Sequence, residues 1–223
     1  MKKKSLLVVA AHPDDEVLGC GGTLIKYKKD GYKINIIFFT DGEGSRDNRN
    51  IKDIKKRRSS AIKSSSLLGC KNPIFFNFPD NQLDKVPRLE IVKKIELILE
   101  KTKPEIIFTH FNNDLNIDHQ IISKATITAC RPQIKYVKKI LFFEIPSSTE
   151  WQITKNNKAF NPNWFEDISE VFNKKIKAIK FYKTEIKKAP HPRSLEGIKS
   201  LAKWRGSTIC VKYAEAFVLG RKI

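Results

Sequence analysis

Residues 11–16 read Ala-His-Pro-Asp-Asp-Glu, one imidazole and three carboxylates at the end of the apolar run 6–11. Carboxylates crowded within a few ångströms repel one another and raise one another's pKa. A divalent cation removes that cost. His12 and Asp15 are spaced to chelate one ion from a tight turn. Zinc takes nitrogen and oxygen ligands of this kind, and keeps a position open for water when only three protein groups bind. The third ligand must come from elsewhere. The chain has four histidines, His12, His110, His119 and His191, and two of them lie in a second polar cluster, Thr109-His110-Phe111-Asn112-Asn113-Asp114-Leu115-Asn116-Ile117-Asp118-His119-Gln120. His119 is the best third ligand, with Asp118 beside it to steady a ligand or the loop. That leaves Asp14 as the free carboxylate beside the metal. Zinc lowers the pKa of its water to roughly 7, and a neighbouring carboxylate can take the proton. Such an arrangement hydrolyses an amide or ester. Either cluster alone also fits a plain loop, in which carboxylates cap a helix and a histidine is satisfied locally. Both together, at corresponding strand ends, favour the metal.

The hydrophobic pattern sets those strand ends. Apolar runs predict strands over 4–11, 32–40, 73–78, 105–109 and 137–144, and helical periodicity predicts helices over 19–29, 52–68, 87–102 and 119–130. The alternation argues a Rossmann-like α/β fold, a mainly parallel sheet with helices on both faces. In such sheets the site forms at the carboxyl ends of the strands, so residues 12–16, 41–50 and 110–119 should converge. Beyond residue 150 the pattern weakens to helices over 164–186 and 195–203 and an apolar segment over 209–219. No linker or repeat interrupts the 223 residues. They read as one domain, an α/β core over 1–145 with C-terminal substrate-side elements over 146–223.

Composition narrows the classes. Hydrophobic residues make up 40%, enough for a core. The basic start before an apolar run looks briefly like a signal peptide, but the run is too short and ends on the acidic cluster. No run approaches the ~18 residues of a membrane span. Four scattered cysteines without a CxxC pair argue against a disulfide scaffold or zinc finger and suit a reduced, cytoplasmic location. The net charge of +19 asks for a cause. Of 43 basic residues, 34 are Lys, spread along the chain with abundant Ile and Asn. A compositional lysine bias explains this first, an anionic substrate or surface second. No aromatic stretch or finger spacing supports a nucleic-acid partner.

Residues 11–22, Ala-His-Pro-Asp-Asp-Glu-Val-Leu-Gly-Cys-Gly-Gly, resemble the first motif of the LmbE/PIG-L family of zinc-dependent N-deacetylases. Asp114-Leu115-Asn116-Ile117-Asp118-His119 resembles its second motif, and Ala214-Glu215-Ala216-Phe217 a late family element. The resemblance implies a Rossmann-like fold and removal of an N-acyl group, usually acetyl, from an amino sugar or its conjugate. It implies one zinc ion per chain on His12, Asp15 and His119, with another divalent metal as the alternative, and Asp14 as general base. It also implies that Arg57 faces the site; the plain reading of Lys55-Lys56-Arg57-Arg58 is a solvated cluster. At Asn116 this chain departs from several members, which carry a His there that helps polarise the carbonyl. Asn donates a hydrogen bond but no proton. Asn116 is then a candidate oxyanion donor, and the acid role falls to Asp14, His110 or His191.

Other candidates are looser. Asp80 follows the third strand, where it either touches sugar hydroxyls or makes a simple turn. Glu150 and Trp151 follow the fifth strand, among hydroxyls and an aromatic that suit a sugar ring. His191 and Arg193 lie in a late basic loop; an Arg there can pair with a substrate phosphate or carboxylate, or stay solvated. Gly19-Cys20-Gly21-Gly22 fails the dinucleotide-loop spacing and reads as close helix packing. The expected function is removal of an N-acetyl group from an amino sugar, sugar nucleotide or conjugate through metal-activated water. The alternatives are an amidase on another small N-acyl or thiol-sugar conjugate, and a non-catalytic basic polyanion binder. A homo-oligomer stays open.

Overall fold

The computed structural model describes residues 4–44, 50–153 and 159–223. Strand β1 (Ser5–Ala10) is wholly buried. Its residues alternate between two cores: Leu6, Val8 and Ala10 pack in one, Leu7, Val9 and Ala11 in the other. A strand apolar on both faces needs helices on both faces. Helices α1 (Asp15–Lys29), α2 (Ile51–Leu68) and α5 (Phe172–Ile179) share one side, and α3 (Arg88–Thr102) and α4 (Ile117–Ala129) the other.

The seven-stranded sheet runs β3-β2-β1-β4-β5-β7-β6. Strands β2 (Lys33–Thr40), β3 (Ile74–Phe78), β4 (Ile106–His110) and β5 (Lys139–Phe143) join β1 in parallel, as the alternation predicts. Strands β7 (Ala214–Lys222) and β6 (Trp164–Asp167) extend it antiparallel. Here the expected helix over 164–186 is corrected: it holds a strand and the short α5. Trp164–Asp167 pairs with Ala214–Phe217, a partner too distant in sequence for local periodicity to report. The expected helix over 195–203 is α6 (Leu195–Ser207), which packs on β7.

Two helices begin earlier than their periodicity suggests. Helix α1 starts at Asp15 and α4 at Ile117, so the polar clusters run into first turns. Free N–H groups and the helix dipole favour negative charge there, and Asp15, Glu16 and Asp118 occupy those turns. The glycines of α1 permit close packing, as expected. A Cβ at Gly19 would lie 2.5 Å from Phe143, and one at Gly22 2.7 Å from Ile168.

Midway along α1, the Gly22 N–H donates to Glu215 Oε1 at 2.8 Å and the Leu18 carbonyl accepts from Lys175 Nζ at 2.9 Å. A regular helix would pair those two backbone groups with each other. The buried Lys175–Glu215 ion pair, 2.6 Å long, bridges the two. No helix among the described residues is long and apolar enough to cross a membrane. All four cysteines are free.

Candidate metal and acid–base centre

Strand order runs outward in opposite directions from β1 and β4, which are adjacent without being consecutive. The chain leaves both strands at the same end, and a crevice opens where the order reverses. It holds a cavity of about 180 Å³ walled by His12, Asp14, Arg57, Asn116, His119 and Arg193, among others. Both expected clusters therefore meet.

His12, Asp15 and His119 each offer a ligand atom, all within 4.8 Å of one another. His12 Nδ1 lies 3.1 Å from His119 Nε2. Asp15 Oδ2 is 3.3 Å from His12 Nδ1, and Asp15 Oδ1 is 3.5 Å from His119 Nε2. Each imidazole is oriented from behind. His12 Nε2 faces Asp118 at 3.2 Å and Asp80 at 3.1 Å, and His119 Nδ1 faces Asp114 at 3.0 Å. Those carboxylates hold the ring protons outward and leave two nitrogen lone pairs aimed at one place. Asp15 Oδ1 is buried without a hydrogen-bond partner. Two imidazoles and a carboxylate with a free oxygen fit a tetrahedral cation with one open position. Without the ion, protons compete for this place. Burial alone would lower the His119 pKa, but Asp15 and Asp114 raise it to about 9. Burial likewise opposes a charged His12, and Asp118, Asp15 and Asp80 outweigh it.

Asp114 had no assigned role in the sequence, although it opens the second cluster. Its carboxylate accepts from Thr149 Oγ1 at 2.6 Å, the Asn116 N–H at 2.9 Å and Ser148 Oγ. Burial would raise its pKa; the His119 charge and these donors bring it to about 2. Asp114 thus stays ionised behind His119. Asp114→Ala should weaken metal binding about 10–100-fold, the usual effect of losing such a support. Competition with a chromophoric chelator reads this directly, and unchanged affinity would remove Asp114 from the site.

Asp14 caps α1 with φ 132°, in the left-handed region. Its Oδ2 lies 3.2 Å from Arg57 Nη2 and 3.2 Å from Arg193 Nη1. Its Oδ1 is buried without a partner. Burial pushes its pKa up to about 6, against the opposing charges of Arg57 and Arg193. Arg57 is therefore a site residue rather than part of a solvated cluster. Its guanidinium also donates to the Pro13 and Gly42 carbonyls and pairs with Glu43 and Glu185. Glu185, 2.9 Å from Arg57, was hidden in the stretch expected to be helical.

The remaining expected residues divide. Asn116 lines the cavity and caps α4, but its Nδ2 donates to Asn81 Oδ1 at 2.9 Å. Asp80 also lines it, bonded to Thr40 Oγ1 and turned toward His12. Asp118 anchors the facing turn through the N–H groups of Asn81 and Leu83. His110 is fully buried, stacked 3.9 Å beneath the His119 ring, and its Nε2 accepts the Ala11 N–H. Burial and His119 hold its pKa well below the ordinary value. A neutral ring so enclosed has no path to a substrate nitrogen. His191, Trp151 and Glu150 stand outside the cavity wall. The Trp151 ring meets His191 edge-on at 5.4 Å, His191 Nδ1 accepts the Arg193 N–H, and Glu150 accepts the Ser147 N–H.

A family profile described as PIG-L, GlcNAc-PI de-N-acetylase, matches residues 7–130. The Escherichia coli K12 protein described as uncharacterized deacetylase YaiS is 31% identical over 189 residues, 82% of this chain and 92% of its own. A Bacillus cereus relative, described as probable N-acetyl-alpha-D-glucosaminyl L-malate deacetylase 2, is 27% identical over 82% of this chain and 84% of its own. The fold is similar to that of N,N'-diacetylchitobiose deacetylase from Pyrococcus horikoshii, with a TM-score of 0.79 at 22% identity, over 99% of this chain and 85% of that one.

Proposed function

The chain belongs to the PIG-L (LmbE) family, and from that premise we propose that it is a metal-dependent hydrolase that removes the N-acetyl group of an amino sugar or sugar conjugate. The observation that carries this reading is two buried oxygens without a hydrogen-bond partner, Asp15 Oδ1 and Asp14 Oδ1. The first suits a cation and the second a proton. The Bacillus cereus and Pyrococcus horikoshii proteins, named as deacetylases of N-acetylated sugars, support the substrate class.

His12, Asp15 and His119 would hold the cation, and zinc suits their donor set. When bound, it would polarise the acetamide carbonyl and lower the pKa of a water. Asp14 does the proton work. Arg57 and Arg193 fix its Oδ2, so Oδ1 points to a single task. Oδ1 takes the proton of the attacking water and later gives it to the amine nitrogen as the C–N bond breaks. Acetate and a free amine leave. With the Asn116 amide committed to Asn81 and His110 enclosed, Asp14 serves as both base and acid.

Asp14 must be ionised to act as base. Its pKa is about 6 without the cation, whose charge lowers it further, so kcat/KM should rise with pH below about 6 and stay level above it. Arg193→Gln removes one charge that favours the carboxylate, so the rising limb should move to higher pH. The pH–rate profiles of the two proteins test this, and a midpoint that does not move would count against the pairing.

The reaction itself is tested by acetate release from a panel of N-acetylated sugars and sugar nucleotides, before and after chelation and again after adding zinc. Release that is lost on chelation and restored by zinc is expected. Release indifferent to chelator, or none from any member with one metal bound per chain, would overturn the reading.

A further inference from the structure

A groove of about 430 Å³ lies beside Arg57. Arg57 lines both spaces, so the groove adjoins the site. One wall is a single face of α2. Lys56, Ser59, Ser60 and Lys63 lie at spacings of three, four and seven residues, which places them together on a helix. The other wall is the segment after α5, with Phe181 and Lys183. Ser60 Oγ donates to the Phe181 carbonyl at 2.9 Å and ties the walls together.

The charges of the groove are unbalanced. Lys56, Lys63 and Lys183 are exposed, and none has an ion-pair partner among the described residues. Of the two carboxylates present, Glu43 is paired with Arg57. That leaves three ammonium groups against Asp53. The rest of the lining offers the Ser59 hydroxyl and an aromatic face 37% exposed, Phe181, while the Ser60 and Thr184 hydroxyls already donate to the Phe181 carbonyl and Glu185 Oε1. Three ammonium groups and one hydroxyl donor facing a single carboxylate suit a phosphoryl group. A general lysine excess would scatter such charge; here it lines both walls of one concavity that shares Arg57 with the catalytic cavity.

We propose that this groove binds a phosphoryl or diphosphoryl group carried by the acetylated sugar, so that the substrate is a sugar phosphate or sugar nucleotide rather than a neutral sugar. The proposal rests on the deacetylase reading above for its substrate, but not for its anion.

Two measurements separate the two. The first is calorimetric titration of inorganic pyrophosphate into the wild-type protein and into the Lys56→Ala/Lys63→Ala/Lys183→Ala variant. At least tenfold weaker binding in the variant is expected, restored when the three positions carry Arg. The second is kcat/KM for N-acetylglucosamine, its 1-phosphate and its UDP conjugate. The wild type should favour a phosphorylated form at least tenfold, through KM. The variant should lose that preference while keeping its rate on the neutral sugar. A preference for the 1-phosphate over the UDP conjugate would assign the groove to a terminal phosphate, and the reverse to a diphosphate. Equal pyrophosphate affinity in both proteins, or a neutral sugar used as well as the charged forms, overturns the groove and leaves the deacetylase standing. No turnover of any sugar, with pyrophosphate binding that depends on the lysines, overturns the deacetylase and leaves the anion site.

Discussion

Asp14→Asn is expected to lower kcat by about 10²–10⁴-fold, the range for losing a positioned general acid–base. The substitution keeps the shape of the side chain. Its amide oxygen can still face the Arg57 and Arg193 guanidiniums, which now hold Asp14 Oδ2. Its amide nitrogen then occupies the position of Oδ1, where it can neither accept a proton from water nor return one. Substrate contacts change little, so KM should stay near its wild-type value and the loss should fall on kcat. Metal content distinguishes this role from that of a ligand. Because His12, Asp15 and His119 are untouched, the variant should bind metal as the wild type does. Asp15→Asn, by contrast, should lose both activity and metal. Full activity in Asp14→Asn would remove Asp14 from the proposed chemistry.

The largest effect on stability is expected at Glu215, far from any proposed proton transfer. Glu215→Ala should destabilise the fold by about 3–5 kcal/mol, the cost of leaving a buried charge without its partner. Lys175 Nζ loses its counter-ion, and the N–H groups of Gly22 and Thr23 lose their carboxylate acceptor. All are buried. The loss should appear as a lower denaturation midpoint with little change in slope. Replacing both partners together, Lys175→Met with Glu215→Leu, should cost much less, because no isolated charge remains. If Glu215→Ala cost under about 1 kcal/mol, water would have to reach this position and the ion pair would not hold α1.

The difference between these two residues also shows what the sequence could say. The place of Asp14 was legible because its signal is local: three adjacent carboxylates announce crowded charge, and the charge demands a use. His119 was legible for a similar reason, since few histidines exist and one lies at a matching strand end. The parallel half of the sheet followed from alternating periodicities. Asp114 and Glu185 were harder. Both do their work through partners distant in sequence, Ser148 and Thr149 in one case and Arg57 in the other. The strand Trp164–Asp167 was missed because its pairing energy comes from β7, and short strands with no alternation of their own carry no local sign of it. His110 misled in the opposite direction. A histidine beside a metal cluster invites a chemical role, and only the packing shows a ring that serves as the floor under His119.

Asp14 also bears on how this chain can evolve. A side chain at φ 132° sits where only glycine is at ease, and such a residue raises the energy of the native state by about 1–3 kcal/mol. The strain aims one carboxylate between two arginines at the mouth of a helix. Glycine at position 14 would relieve the backbone but would take the carboxylate away from the buried Arg57 and from Arg193, so strain and ion pairing oppose each other here. Sequences that drift at position 14 therefore have no cheap exit: a residue that relaxes the backbone gives up both pairings, and the strained turn and its two arginines can only change together.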